Sequence, residues 1–429
     1  MAVARPGQLN LDESPTWGSR SVDCFEKLEQ VGEGTYGQVF MAMETETKEI
    51  VALKKIRIDN LRASFPITAI REIKILRKLH HENVIKLKEI VTSPGPERDE
   101  QGKQIEGYKY KGSIYMVFEY MDHDLTGLSE RPAMQFTIPQ IKCYMRQLLM
   151  GLYYCHLNQV LHRDLKGSNL LINNHGILKL ADFGLSRSFS KGPNENLTNR
   201  VITLWYRPPE LLLGSTRYGP AVDMWSVGCI FAELLYGMPI LPGKDDPEQL
   251  SRIFELCGTP DELSWPGITK LPCYNNLKPS YPIKRCVKEV FKRFDRHALD
   301  LLERMLTLDP SQRISAIDAL DAEYFWTDPP PALPHTLPKY ESSHEFQIMK
   351  KRQQQRQVEQ EAKRQKTLRL PPIQQSGQPH SQIGQLQGFG GPNRYPQGGN
   401  QGAGYPNHGG HGGGYDSGPY PQQSRGPPP

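Results

Sequence analysis

His162-Arg163-Asp164-Leu165-Lys166-Gly167-Ser168-Asn169, followed further on by Asp182-Phe183-Gly184, is the stretch on which the reading of this chain turns. Two acids, an amide and a cation stand close together there, flanked by apolar runs of β type at Leu170 to Ile172 and Ile177 to Leu180. Such a set suits the holding of Mg²⁺ and a phosphoryl group. Asp164 can accept the proton of an attacking hydroxyl, Asn169 and Asp182 can offer oxygens to a hard cation, and Lys166 can neutralise charge on a moving phosphoryl. Each piece alone has a plainer explanation, since an Asp beside an Arg is usually a surface ion pair and Asp-Phe-Gly a turn. In this order and at this spacing they argue together.

Working toward the N-terminus, Phe25 to Lys55 alternates like strands, and its first turn is Gly32-Glu33-Gly34-Thr35-Tyr36-Gly37, followed by Val39. A Gly-x-Gly-x-x-Gly that opens a helix would indicate a dinucleotide fold. Here β-type residues continue from Gln38 to Met43, so the glycines mark the tip of a hairpin whose backbone can lie over the phosphates of ATP. Val51-Ala52-Leu53-Lys54 then gives a strand ending in a lysine placed to touch the α and β phosphates. Phe65 to His80 switches to helical spacing, with Ile70, Ile73, Leu76 and Leu79 on one stripe and Pro66 in the first turn. Glu72 falls on this helix. Paired with Lys54 it would orient the lysine and make activity depend on where the helix sits.

The chain has 429 residues, 37% of them hydrophobic, enough for two lobes with material left over. No apolar run approaches the roughly 20 residues needed to span a bilayer. Met1 to Ser21 carries charges and prolines where a signal peptide would be apolar, so an intracellular protein is expected. Its seven cysteines are scattered, with no Cys-x-x-Cys pair, which suggests neither a disulfide framework nor a zinc site. Of the net charge of +5, residues 346–370 contribute eight Lys or Arg against two Glu, and residues 371–429 two Arg against one Asp. Residues 1–345 are therefore slightly acidic, and the basic character belongs to the tail.

Pro66-Ile67-Thr68-Ala69-Ile70-Arg71-Glu72 resembles the signature helix of cyclin-dependent protein kinases. With the long charged insert at residues 93–112 and the Gln/Gly-rich tail, the chain looks most like the plant C-type members, which are related to the kinase subunit of the positive transcription elongation factor. The resemblance covers residues 25–326. It implies an α+β, two-lobed protein kinase fold: a small β-rich lobe with one key helix, a large mostly helical lobe and, beyond them, a disordered C-terminal tail. It also implies a nucleotide site formed by Val31, Gly32, Glu33, Gly34, Thr35, Tyr36, Gly37, Val39, Ala52, Lys54, Glu72 and Leu171, with the hinge Phe118-Glu119-Tyr120-Met121 receiving adenine and Asp124 at its exit. The catalytic set is Asp164, Lys166 and Asn169, with Asn169 and Asp182 holding Mg²⁺. The implied partners are a cyclin, of T type, on the Pro66–Glu72 helix, and a proline-directed Ser/Thr substrate, the repeated C-terminal domain of RNA polymerase II.

The same resemblance assigns regulation. Leu185 to Thr203 is a polar segment in which Thr198 matches the family's activating phosphosite, and Arg71, Arg163 and Arg187 are placed to receive its phosphate. Thr203, against Leu204-Trp205, is assigned to packing beside Asp164. Thr35 and Tyr36 are candidate inhibitory sites, since a phosphate there would repel those of ATP. Leu204-Trp205-Tyr206-Arg207-Pro208-Pro209-Glu210 departs from the common Ala-Pro-Glu ending, and Glu210 is expected to pair with Arg313, while Asp223 braces the catalytic loop.

Around the 25–326 domain stand an N-terminal extension at 1–24, a Pro-rich linker at 327–345, a basic Gln/Lys/Arg-rich segment at 346–370 and a tail at 371–429. The tail holds 16 Gly, 11 Pro and 10 Gln with almost no aliphatics, too little apolar surface to fold. Lys350-Lys351-Arg352 and Lys363-Arg364-Gln365-Lys366 would serve as a nuclear address or touch nucleic acid. Two other classes fit parts of the sequence. A pseudokinase scaffold would have lost Lys54, Asp164, Asn169 or Asp182, and all four are present. An RNA-binding protein would work through its tail, and residues 327–429 alone would then bind nucleic acid with a steep salt dependence.

Overall fold

A computed structural model describes residues 20–34, 37–56, 66–94, 112–131, 133–189 and 196–344, with residues 347, 349, 353–356 and 360 beyond them. Thr35, Tyr36, most of the 93–112 insert, the first nineteen residues and the tail lie outside the described residues. The compact unit described below falls within Met1–Leu368.

Five antiparallel strands form the sheet of the small lobe: β1 (Phe25–Gly34), β2 (Gly37–Glu44), β3 (Ile50–Ile56), β4 (Leu87–Thr92) and β5 (Ile114–Glu119), in the order β1-β2-β3-β5-β4. β1 and β2 close a hairpin at Gly34 opposite Gly37. Gly37 has a φ of 147°, which a side chain would strain, so glycine is required where the chain turns back. The strand of Lys54 runs on to Ile56, and Lys54 stands between Val39 on β2 and Met116 on β5. Period-two alternation divides β5: Tyr115 and Val117 join a small upper core with Phe25, Ala42 and Leu53, while Met116 and Phe118 face the main core.

Among the described residues the one α-helix of this lobe, α1 (Ile67–Leu76), begins just after Pro66. Its buried face carries Ala69, Glu72, Ile75 and Leu76, whereas Ile70 and Ile73 are only half-buried. The apolar stripe read from the sequence is thus rotated, because the helix must turn Glu72 inward to meet Lys54, and an acid then occupies the core-facing position. Ile67 is left 65% exposed.

The large lobe is built on α3 (Ile138–Leu157), reached through the short β6 (His123–Asp124) and α2 (Leu125–Ser129), and on α5 (Ala221–Tyr236), with α4 (Pro209–Leu212), α6 (Asp246–Cys257), α7 (Tyr274–Leu277), α8 (Val287–Val290), α9 (Arg296–Met305) and α10 (Ala316–Leu320) around them. The short β7 (Val160–Leu161), β8 (Leu170–Ile172), β9 (Leu178–Leu180) and β10 (Arg187–Ser188) carry the catalytic stretch. A capping box formed by Thr137 and Gln140, with proline in the first turn, starts α3, and its apolar face, including Met145, Leu148, Leu149 and Leu152, is buried. Arg313 commits all five of its N–H groups: two go to Glu210, at 2.8 and 2.9 Å, and three to the carbonyls of Ala221, Thr307 and Leu308.

Residues 327–344, read from composition as a linker, pack along this lobe. The buried Lys142 ammonium donates to the carbonyls of Thr327 and Pro329 at 2.7 and 2.8 Å and lies over the Tyr324 ring. Ala332 N–H donates to Pro139 O, and Leu337 is buried. The chain then crosses the hinge, where Ser343 bridges His123, the Asp124 N–H donates to Ser343 O, and Tyr340 and Asn174 exchange hydrogen bonds. These are mostly backbone contacts, which leave little periodicity in the sequence. Among the described residues no helix is long and apolar enough to cross a membrane.

Candidate active site

Between the lobes lies a cleft of about 600 Å³, within the range that small-molecule ligands occupy. Its roof is the hairpin tip, with Val31, Gly32, Glu33, Gly37 and Val39, and its floor includes Leu171. Lys54, Glu72, Phe118, Glu119, Asp124, Asp164, Lys166, Asn169 and Asp182 also line it. Ala52, opposite Phe118 on β3, and Met121, buried just past β5, are not part of its wall.

Lys54 Nζ reaches both Glu72 carboxylate oxygens at 2.9 Å and Asp182 Oδ1 at 3.1 Å, so its three protons are all engaged. Burial alone would lower its pKa, but Asp182 and Glu72 outweigh that and hold the ammonium above the usual lysine range. Burial raises the Glu72 carboxyl in turn, while Asp182 stays below the ordinary aspartate range because Lys54 overcomes the effect of burial. The triad carries one cation against two carboxylates. Asp182, the most open of the three, turns the surplus negative charge toward the cleft.

Asp164 accepts at Oδ1 from Thr203 N–H (3.2 Å) and Thr203 Oγ1 (2.8 Å), and at Oδ2 from Asn169 Nδ2 (3.0 Å), with Lys166 Nζ 3.2 Å away. Thr203 thus occupies the packing position that the sequence resemblance gave it. The Asn169 amide nitrogen is committed to Asp164, which leaves its amide oxygen for a cation. Among the described residues no cluster of three or more His, Cys, Asp or Glu could hold a metal alone. Asn169 and Asp182 instead fit Mg²⁺, a hard ion that takes few protein oxygens and fills its shell with phosphate and water.

The loop carrying Asp164 is held from beneath. Asp223, fully buried on α5, accepts from the N–H groups of His162 (2.9 Å) and Arg163 (2.8 Å) and from His156 Nε2 (2.9 Å). Burial would raise its carboxyl, but the hydrogen bond and charge of His156 keep it below the ordinary aspartate range. Arg163, with a φ of 64°, and Asp182, with a φ of 59°, sit in the left-handed region that few side chains adopt. His162 Nε2 is 3.0 Å from Ala181 O and its Nδ1 accepts from Asp164 N–H, an arrangement that satisfies a neutral imidazole.

Thr198 is exposed, its hydroxyl accepting from Arg200 N–H. Of the three arginines assigned to it, Arg163 donates to Leu185 O and to Tyr218 Oη, and that hydroxyl donates to Thr198 O at 2.6 Å. Arg71 lies on α1 and Arg187 on β10, elements that pack against each other, and both side chains already have partners. The sequence did not single out Tyr218, whose link from Arg163 to Thr198 depends on a fold contact rather than a motif.

The sequence also missed His344. It lines the cleft from the strap across the hinge, with Nδ1 3.7 Å from Asp124 Oδ2 and its ring edge-on to Tyr120. Its Nε2 is buried without a hydrogen-bond partner. The hinge has a further tie: Glu119 accepts from Lys179 Nζ at 3.0 Å and from Lys86 N–H at 2.8 Å, which joins the two lobes.

A family model described as the protein kinase domain matches residues 25–325. The chain is 76% identical to Cyclin-dependent kinase C-2 of Oryza sativa subsp. japonica, over all of this chain and 88% of that protein. It is 66% identical to Cyclin-dependent kinase C-1 of Arabidopsis thaliana, over all of this chain and 91% of that protein. At 48% identity, Cyclin-dependent kinase 12 of Drosophila melanogaster matches 82% of this chain with 30% of its own length.

Proposed function

The chain belongs to the protein kinase family, as a cyclin-dependent Ser/Thr kinase close to the plant C-type members, and from that premise we propose that it phosphorylates Ser-Pro and Thr-Pro sites, with the repeated C-terminal domain of RNA polymerase II as substrate. One observation carries the chemistry: Asp164, Asn169, Asp182 and the Lys54–Glu72 pair converge in a single cleft beneath a glycine hairpin. That convergence disfavours the pseudokinase scaffold. ATP supplies the phosphoryl group, and Mg²⁺, held by Asn169 and Asp182, neutralises its charge when bound. Asp164 takes the proton of the substrate hydroxyl as that oxygen attacks the γ-phosphorus and the bond to the departing ADP breaks, and Lys166 stands beside it to stabilise the transferring group. Lys54, fixed by Glu72, positions the phosphates, so a shift of α1 would uncouple the site.

Preference for proline after the phosphoacceptor is supported by Ile202. This β-branched residue has a φ of 69°, and its carbonyl accepts from Arg207 Nη2 and Nε. A carbonyl occupied in this way cannot take the N–H of the substrate's next residue. Proline has no N–H to leave unsatisfied. Ile67, exposed, and Ile70, half-buried, give α1 an apolar face suited to a cyclin, for which the sequence resemblance suggests the T type. Phosphate on Thr198, received by Arg71, Arg163 and Arg187, would tie α1, the catalytic loop and the segment after Asp182 together. A nuclear location and contact of the basic segments with nucleic acid complete the reading, on sequence grounds.

Asp164→Asn tests the chemistry. Phosphotransfer by the cyclin-bound enzyme should be abolished while ATP binding stays nearly intact, because Asp164 acts on the hydroxyl and the nucleotide is held by other residues. Near-wild-type turnover would end this assignment.

A further inference from the structure

The proline preference needs a carbonyl held against its own tendency. Ile202 pays for a left-handed backbone, and the Arg207 guanidinium engages the Ile202 and Val201 oxygens, with Nη2 2.9 Å from Ile202 O and Nε 3.0 Å from Val201 O. A guanidinium anchored along one edge can still swing about its long side chain. Its other edge is fixed as well, because Nη1 lies 2.6 Å from Oδ1 of Asp246, the first residue of α6. The side chain of Asp246 is 57% exposed and that of Arg207 only 18%, so the acid closes the outer side of a mostly buried cation.

The same end of α6 grips the segment at other points. Trp205 Nε1 donates to Gly243 O at 2.9 Å, Gly243 N–H donates to Gln249 Oε1 at 3.0 Å, and a Cβ on Gly243 would fall 2.7 Å from the Gln249 Cα. Asp245 caps the helix independently by accepting from Glu248 N–H, so the start of α6 does not depend on Asp246.

We propose that Asp246 is a positioning residue for selectivity: it fixes the plane of Arg207 so that the Ile202 carbonyl is withheld from the substrate residue that follows the phosphoacceptor. The inference rests on the proline-directed reading and extends it to a helix outside the cleft. Loss of Asp246 frees the guanidinium to swing and lets the carbonyl accept a substrate N–H. A substrate with alanine at that position then gains a hydrogen bond, while one with proline gains nothing.

The test uses the cyclin-bound enzyme, wild type and Asp246→Ala, on three peptides that differ only in carrying proline, alanine or N-methylalanine after the serine. Wild type should favour proline and N-methylalanine over alanine. In Asp246→Ala the proline-to-alanine ratio of kcat/KM should fall about two- to fivefold, the size expected for one partly exposed charge pair, through faster turnover of the alanine peptide alone. Asp246→Asn, which keeps an acceptor oxygen, should fall between the two. An unchanged ratio in Asp246→Ala overturns the inference and leaves the proline-directed reading standing, as does a fall caused only by slower turnover of the proline peptide. A wild type that does not discriminate, or that rejects N-methylalanine as it does alanine, overturns the proline-directed reading itself.

Discussion

Replacing Asp223 with Asn tests whether the catalytic loop is held by a buried charge. Asp223 is fully buried and accepts three hydrogen bonds, two of them from the successive backbone N–H groups of His162 and Arg163. An amide of the same shape keeps one oxygen and places an NH₂ against at least one N–H donor. That orphans a buried donor, at about 1–3 kcal/mol, and weakens the remaining bonds by removing their charge assistance, at about 1 kcal/mol each. Relief of the desolvation borne by the carboxylate offsets part of this, so a net loss of about 2–4 kcal/mol is expected. For a domain of this size the melting temperature should fall by roughly 4–10 °C. Arg163, left-handed at a φ of 64°, then loses the bond that holds its backbone, and Asp164 shifts with it. Misplacement of a catalytic group by about an ångström costs up to about a hundredfold, so kcat should drop roughly ten- to a hundredfold at a temperature well below melting, while KM for ATP changes less than about threefold. Steady-state kinetics beside a melting curve decide it. A kcat within twofold of wild type would refute the brace, and a fall in melting temperature without a change in kcat would make Asp223 a residue of stability alone.

The geometry of the proposed catalytic centre was legible because its chemistry demands particular side chains close together in the chain. Asp164, Asn169 and Asp182 stand where the motif placed them, and Lys54 and Glu72, though from different elements, meet at hydrogen-bond distance. The Glu210–Arg313 pair and the Asp223 brace were legible by resemblance and are both formed. What the sequence hid depends on contacts without a repeat. The stripe on α1 misled because the buried face includes Glu72, which periodicity counts as polar. Lys142, a cation among apolar neighbours on α3, is buried and captures two carbonyls of the proline-rich stretch, and composition cannot reveal a partner that is backbone. His344 reaches the cleft from a strap whose Ser343 is bonded to His123 and Asp122, contacts that leave no local pattern. Tyr218 and Asp246 act at a distance in sequence from the residues they hold, and nothing local marks them.

Ile67→Asp should abolish cyclin binding and activity together, since a charge would enter the apolar face of α1; full activity of the purified single chain would contradict this. Thr198→Ala should sharply reduce activity of the cyclin-bound enzyme, with Thr203→Ser milder, and mass spectrometry finding Thr198 unmodified in the active complex would dispose of its role as a switch. A third expectation concerns pH. Burial holds both His162 and His123 below the usual histidine range, and each ring is already satisfied as a neutral group, His162 by Ala181 O and Asp164 N–H, His123 by Ser343 Oγ and Asn174 Oδ1. The unfolded chain takes up protons at these residues near pH 6.5 and the folded chain only at lower pH. The unfolded state therefore binds more protons as pH falls, and each histidine should cost stability between pH 7 and pH 5.5. Glu72, whose carboxyl burial raises, works in the opposite direction, so the difference between variants is the informative quantity. His123→Asn, which leaves the catalytic loop untouched, should lower stability at pH 7 and lose less of it on acidification than wild type. Equal losses in the two proteins between pH 7 and pH 5.5 would show that His123 takes up its proton as readily in the folded chain as in the unfolded one, and the neutral assignment would fail.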